Sequence, residues 1–321
     1  MTEFHGVPVS SPETPAEGQA HVVRFDDPGA GVSRLRDGLE QNRLVLVAGT
    51  PLERAGSLFR ELAASYGLED SYDLQMQYVA HTIKGRTPVG DIAVTVNERG
   101  PLQIIQPHSE GDTTSQLELF GLHCARSAAV GGENVMSLID QSADHSRLRA
   151  KEKAIRGSGL SAREILELRE EHLDAVELTS EGPVCRILKE TARGSVIVRL
   201  VGVRPARSAI TGEELVTYWD NVTVHDRAFH RHQVELLRHL GILHRRAPDD
   251  LEAYMHVEED SPWAPVDTDS GDLARTAGLF RRHVVHKMRA GDFLVLHNRA
   301  WTHAVNNWPA GQVRELTAMY A

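Results

Sequence analysis

Cysteine is nearly missing from this chain: only two thiols, Cys124 and Cys185, occur in 321 residues. A disulfide framework is therefore excluded, and one chain cannot assemble a thiolate zinc cluster from them. Long apolar runs are missing too, since none reaches the ~18 residues of a membrane-spanning helix. The polar opening of the chain lacks the charged-then-apolar order of a secretory leader, so the expectation is a cytoplasmic protein with no membrane partner. A positive excess is also absent. With 45 acidic against 35 basic side chains and a formal charge of -10, the balance disfavours polyanions, and no nucleic-acid partner is expected.

What is present is globular. Hydrophobic residues make up 41% and charged residues 25%, which excludes a wholly disordered, collagen-like or coiled-coil chain. Histidine is abundant at 17, and imidazole is the commonest transition-metal ligand, so a metal site is worth seeking.

Residues 1–20 are rich in Pro, Gly, Ser and Glu without periodicity and read as a flexible arm. From there to residue 321 neither a linker nor an internal repeat divides the chain, which favours one elaborated domain over 21–321. Helical periodicity covers Gly31 to Asn42 and Leu52 to Tyr66, flanking the short apolar run Leu44 to Ala48, which suits a buried strand. Short strand-like runs follow: Leu102 to Ile105, Leu117 to Ala125, Val135 to Ile139, Ser195 to Val203, Glu214 to Tyr218, Phe293 to Leu296, Trp301 to Val305 and Val313 to Tyr320. Their spacing predicts an antiparallel sandwich or barrel. Two helical insertions interrupt it, near 146–178 and 226–245, and read either as a lid or wall over the barrel mouth or as a subunit contact, a homodimer being compatible with the sequence.

The pair His108 and Glu110 stands two residues apart, and on an extended strand such residues face the same way, able to present two ligands to one ion. Alone this spacing arises often by chance. The zinc deaminase and zinc protease signatures that also combine His and Glu need P-C-x-x-C or H-E-x-x-H, and both are absent. The C-terminal end adds a third candidate. There a Gly291-Asp292 turn enters one strand, Asn298 and Arg299 follow, and a second strand carries Trp301, His303 and Val305 on one face. An inward histidine among apolar neighbours is either a hydrogen-bonded core residue or a third ligand.

Four features in this order, His108-x-Glu110, Gly131-Gly132-Glu133-Asn134, Gly291-Asp292 through Asn298-Arg299 to His303, and Arg314 eleven residues later, resemble the taurine dioxygenase and clavaminate synthase group of iron(II)- and 2-oxoglutarate-dependent oxygenases. The resemblance spans roughly Leu44 to the C-terminus and rests on joint order and spacing. It implies a mainly β fold with surrounding helices, a double-stranded β-helix or jelly roll. It further implies that His108, Glu110 and His303 hold Fe(II) and that Arg314 binds the distal carboxylate of 2-oxoglutarate, with O2 as the oxidant. The chemistry agrees, because two imidazoles and one carboxylate on one face leave three positions open, and a guanidinium suits a carboxylate.

Two departures matter. Asn134 stands where many members have Thr to help hold 2-oxoglutarate, and an amide can donate the same kind of hydrogen bond. Glu110 stands where the taurine-like branch has Asp, as in the clavaminate-like branch, whose members modify amino acids and amino-acid-derived precursors. The expected reaction is oxidation of a C–H bond of a small polar metabolite, with hydroxylation as the default and desaturation, cyclisation or epoxidation open. Halogenation is disfavoured because the carboxylate ligand is present. A non-catalytic jelly-roll ligand binder would not need the set together, and a metal-dependent hydrolase would not need Arg314.

Overall fold

In the computed structural model the residues described are 2–12, 23–26, 31–73, 86–91, 93–96, 103–111, 117–149, 152–155, 177–179, 182–184, 187–190, 196–199, 203, 205–223, 226–244, 263–265 and 272–321. Eight strands carry the architecture: Ala93–Thr95, Ile105–His108, Leu119–Arg126, Asn134–Ile139, Phe280–His286, Phe293–His297, Trp301–Val305 and Glu315–Tyr320. Counted in chain order, they pair as 2-7-4-5 in one sheet and 1-8-3-6 in the other, every pairing among them antiparallel. This is the double-stranded β-helix, or jelly roll, expected from the sequence. Further strands extend both sheets. Val23–Phe25 and Leu44–Val47 widen one and Pro88–Val89 closes its far edge, while Thr2–Phe4 and Val7–Ser10 widen the other.

Side-chain alternation places three apolar layers. Between the sheets lie Leu44, Leu46, Phe120, Leu122, Leu294, Leu296, Met136 and Trp301. Behind one sheet, Val45, Val47, Phe293 and Val295 meet Leu35, Leu39, Leu58, Phe59 and Leu62 of the helices Val32–Asn42 and Leu52–Ser65. Behind the other, Val135, Ile139 and Ala304 meet Phe229, Val234, Leu236 and Leu237 of the helix Arg227–His239. The run Leu44–Val47 is apolar at every position because both of its faces are covered. Gly121 shows how tight this is: a Cβ there would lie 2.9 Å from the Phe59 ring, so only glycine lets that helix approach the strand.

One expectation needs correction. The first residues do not form a free arm, since Thr2–Phe4 and Val7–Ser10 make a hairpin whose second strand runs parallel to Phe280–His286. The alternation of buried Val7 and Val9 drives this, and the polar composition around it concealed the pattern; residues 13–20 of the expected arm lie outside the described residues. Within the insertion near 146–178, the described residues form a helical turn at Ser146–Arg149 and, at Glu152–Ile155, a strand of a separate four-stranded antiparallel sheet. The partner of that strand, Val196–Arg199, is distant in sequence; residues 156–176, which carry the apolar positions behind the helical expectation, lie outside the described residues. The second insertion is a helix as expected, but it buttresses the outer face of a sheet rather than a barrel mouth.

Candidate metal centre and active site

The strands Ile105–His108 and Trp301–Val305 are neighbours, and His108 stands directly opposite His303 in their ladder. Directly opposed residues share a face, so both rings enter the space between the sheets. Their centroids are 4.2 Å apart with the planes tilted 48°. Glu110, just past the end of its strand, turns its carboxylate to the same spot: Oε1 lies 3.8 Å from His108 Nε2 and 3.4 Å from His303 Nε2. The three ligand atoms all fall within 4.8 Å of one another, the only such group of three among the described residues. The sequence-level candidates His108, Glu110 and His303 are thus brought together.

Local contacts fix how each ligand is offered. His108 Nδ1 lies 2.9 Å from the Gln106 carbonyl, which can only accept, so the proton sits on Nδ1 and the Nε2 lone pair faces the site. His303 stacks on Phe120 at 4.5 Å and 25°. Next to Glu110, the Ser109 hydroxyl donates to the Trp301 carbonyl at 3.3 Å, and the Ser109 N–H donates to the Tyr218 carbonyl at 2.7 Å. Burial by itself would raise the Glu110 carboxyl, but the charge of Arg86 and the neighbouring His108 and His303 rings hold it well below the usual carboxylate range. Burial would lower the His108 imidazole, and the carboxylates of Asp220 and Glu110 reverse this.

Arg314 and Asn134 form a second pair. Asn134 is opposite Val305, and Met136 is opposite His303, so Asn134 shares the inner face one row along from the metal-ligand candidates. Arg314 Nη2 donates to Asn134 Oδ1 at 2.9 Å, and its Cζ lies 5.4 Å from the Trp308 ring centroid. Because a guanidinium only donates, this contact assigns the accepting oxygen of the amide to Arg314 and leaves Asn134 Nδ2 as the donor. That Nδ2 is buried and has no hydrogen-bond partner among the described residues. No carboxylate of the described residues lies within ion-pair distance of Arg314. Burial pushes its guanidinium down to about 10, so it remains charged at neutral pH. Gly132 makes room for it: with φ +73, its missing Cβ would sit 3.1 Å from Arg314 Cδ.

The site fits the implied groups. Two imidazoles and a carboxylate converge as an iron(II) donor set, and a buried guanidinium with an orphaned amide donor suits a carboxylate ligand. Sequence reading missed Arg86, Phe120, Tyr320 and Asp220. Arg86 lies in no motif, and the aromatic pair looked like ordinary strand residues. Among the described residues no other histidine joins a group of three metal-ligating side chains; His123, His230, His232, His283, His286 and His297 are buried.

No family model matches this chain, and no curated protein matches it. Among solved structures the chain is similar to PvcB, described as an Fe, alpha-ketoglutarate dependent oxygenase from an isonitrile synthetic pathway, at 10% identity over 98% of this chain and 89% of that one, with a TM-score of 0.45. It is also similar to a putative alpha-ketoglutarate dependent 2,4-D dioxygenase from Burkholderia xenovorans, at 13% identity over 94% and 92% of the two chains, TM-score 0.36. A third is the non-heme iron oxygenase OrfP in complex with Fe, at 12% identity over 90% and 80%, TM-score 0.39. Likenesses this distant carry no argument about chemistry, which rests on the residues of this chain.

Proposed function

We propose that this protein is an iron(II)- and 2-oxoglutarate-dependent oxygenase, with His108, Glu110 and His303 as iron ligands and Arg314 and Asn134 as the anchor for 2-oxoglutarate. The observation that carries this is the convergence of three ligand atoms within 4.8 Å on the inner face of a jelly roll, with Asn134 one row along holding a buried arginine. When bound there, the iron and the 2-oxo acid let O2 oxidise a substrate C–H bond, so that substrate, 2-oxoglutarate and O2 become hydroxylated substrate, succinate and CO2. The chain's own residues position and shield. His108 presents Nε2 because its other nitrogen is held by Gln106; Arg314 takes the distal carboxylate, with Asn134 Nδ2 as a further donor; Phe120 and Trp301 keep the interior dry.

For the substrate we propose a small polar metabolite, an amino acid or an amino-acid-derived precursor, rather than nucleic acid. Asp220 supports an ammonium-bearing substrate: its charge acts on the His108 ring, while its hydrogen bond comes from the neutral Gln106 amide at 3.2 Å. Among the described residues no helix is long and apolar enough to cross a membrane. Anaerobic addition of Fe(II) and 2-oxoglutarate tests the reading. A weak visible charge-transfer band that disappears in air is expected; a protein that binds metal but never develops the band would be a hydrolase or a binding protein instead.

A further inference from the structure

Arg86 closes a circuit of contacts around Glu110. Its Nη2 lies 3.6 Å from Glu110 Oε2, and its Cζ lies 5.4 Å from the Tyr320 ring centroid. Tyr320 meets Phe120 at 5.5 Å, Phe120 stacks on His303 at 4.5 Å, and His303 Nε2 returns to Glu110 at 3.4 Å. The two carboxylate oxygens are thereby divided. Oε1 faces both imidazoles, and Oε2 faces the guanidinium.

We propose that Arg86 is a positioning residue of the metal centre, holding Glu110 so that only Oε1 is offered to the metal. The proposal rests on the reading of His108, Glu110 and His303 as ligands. Counting positions shows why this matters. Two imidazoles, one carboxylate oxygen, two atoms of a 2-oxo acid and O2 fill six places at iron, so a carboxylate binding through both oxygens would displace part of the 2-oxo acid or O2. Glutamate is the ligand in which this danger is real, since its extra methylene gives the carboxylate freedom to swing. Pairing Oε2 with a cation opposes that swing. The side chains of Arg86 and Glu110 are only 12% and 16% exposed, so solvent screens the pair far less than it would a surface ion pair. Tyr320 and Phe120 belong to the sheet opposite His303, so the guanidinium is fixed against the far wall and does not follow Glu110.

The test measures metal affinity, and the affinity of the metal-loaded protein for 2-oxoglutarate and for pyruvate, which keeps the chelating end and lacks the distal carboxylate. Binding is read anaerobically from the charge-transfer band. Arg86→Leu should still bind the metal, weakened by no more than the roughly 10–100-fold typical of losing an outer partner of a ligating carboxylate, and the metal-loaded variant should bind both 2-oxo acids more weakly by the same factor. Arg86→Lys should restore much of the loss, whereas Arg314→Ala should weaken 2-oxoglutarate alone. Unchanged binding of both acids in Arg86→Leu overturns the proposal. So does a loss confined to 2-oxoglutarate, which would make Arg86 a contact of the distal carboxylate, and so does loss of the metal itself. If the Leu variant does not fold, Arg86→Gln carries the same comparison. His303→Ala is the separate control: if it retained metal, the ligand assignment itself would fail, independently of Arg86.

Discussion

Asn298 grips the backbone of Glu110 at both of its polar groups. The Glu110 N–H donates to Asn298 Oδ1 at 2.9 Å, and Asn298 Nδ2 donates to the Glu110 carbonyl at 2.9 Å and the Leu117 carbonyl at 3.0 Å. A carboxylate just past its strand is thereby tied to the turn that leads into the His303 strand. Asn298→Ala should therefore leave buried backbone groups without partners, costing roughly 1–3 kcal/mol of stability, and weaken metal binding by about tenfold to a hundredfold. Competition with a chelator whose metal affinity is known measures the second effect. Wild-type affinity in a folded Asn298→Ala protein would show that Glu110 needs no such clamp.

Replacing His108, Glu110 or His303 by Ala should each abolish most turnover and strongly reduce metal binding, because a missing ligand alters both affinity and geometry. Cys124→Ser should not. Burial pushes the Cys124 thiol up to about 11, so it carries no thiolate at neutral pH, and its side chain belongs to the layer between the sheets. Full turnover in His303→Ala would remove the ligand assignment.

Part of the eight-stranded frame and the ligands were legible because they are written locally, whereas Ala93–Thr95 and Phe280–His286 were not foreseen and the strands expected at 195–203 and 214–218 pair outside that frame. Leu44–Val47, Phe293–His297 and Trp301–Val305 announce buried strands by their apolar runs, with His303 inside the last of them, and the His108-x-Glu110 spacing marks the end of another. Arg86 was not legible, since nothing near it in sequence says that it meets Glu110 across the fold. The N-terminal hairpin was hidden for another reason: its two buried valines gain meaning only beside His283 and Val284, which pair with Val9 and Ser10 far along the chain. The strand Glu152–Ile155 shows the same limit, because its charges imitate a solvated helix until distant strands pair with it.

Acid should destabilise the protein well before its carboxylates protonate. Burial lowers the His283 imidazole from 6.5 to about 3, and it holds His232, whose ring centroid is 5.2 Å away, well below its ordinary value. In the unfolded chain these rings take up protons near pH 6.5; in the folded protein they refuse them, so stability falls as pH drops from about 6.5 toward 3. By pH 4.5 this is worth roughly 2–3 kcal/mol for His283 alone. Glu118 adds a later loss. Burial would raise its carboxyl, but hydrogen bonds from His297, Arg299 and Ser208 hold it at about 2, so its contribution is complete above 4.5 and disappears between 4.5 and 2. Thermal melts from pH 8 to pH 4 should show Tm falling from about pH 6.5 downward, with a shallower fall in His283→Asn. A flat Tm down to pH 4.5 would contradict neutral burial of this pair.

Arg314 separates the cofactor anchor from the metal. Its guanidinium reaches the inner face beside Asn134, but it touches none of the three ligand candidates, so Arg314→Ala should leave metal affinity near normal. The apparent KM for 2-oxoglutarate should rise strongly, since removing one partner of a desolvated, charge-assisted contact typically costs on the order of 2–5 kcal/mol. Arg314→Lys should fall between, keeping the charge but losing the planar fork that also engages Asn134. Asn134→Ala should have a smaller effect in the same direction, because it removes one neutral donor and frees the guanidinium to move. A shorter 2-oxo acid without the distal carboxylate should be used about equally well by wild type and Arg314→Ala, as neither can grip what is absent. The measurement is decarboxylation rate against 2-oxo acid concentration for each variant. An unchanged KM for 2-oxoglutarate in Arg314→Ala would sink the anchor and leave the metal centre without its proposed co-substrate.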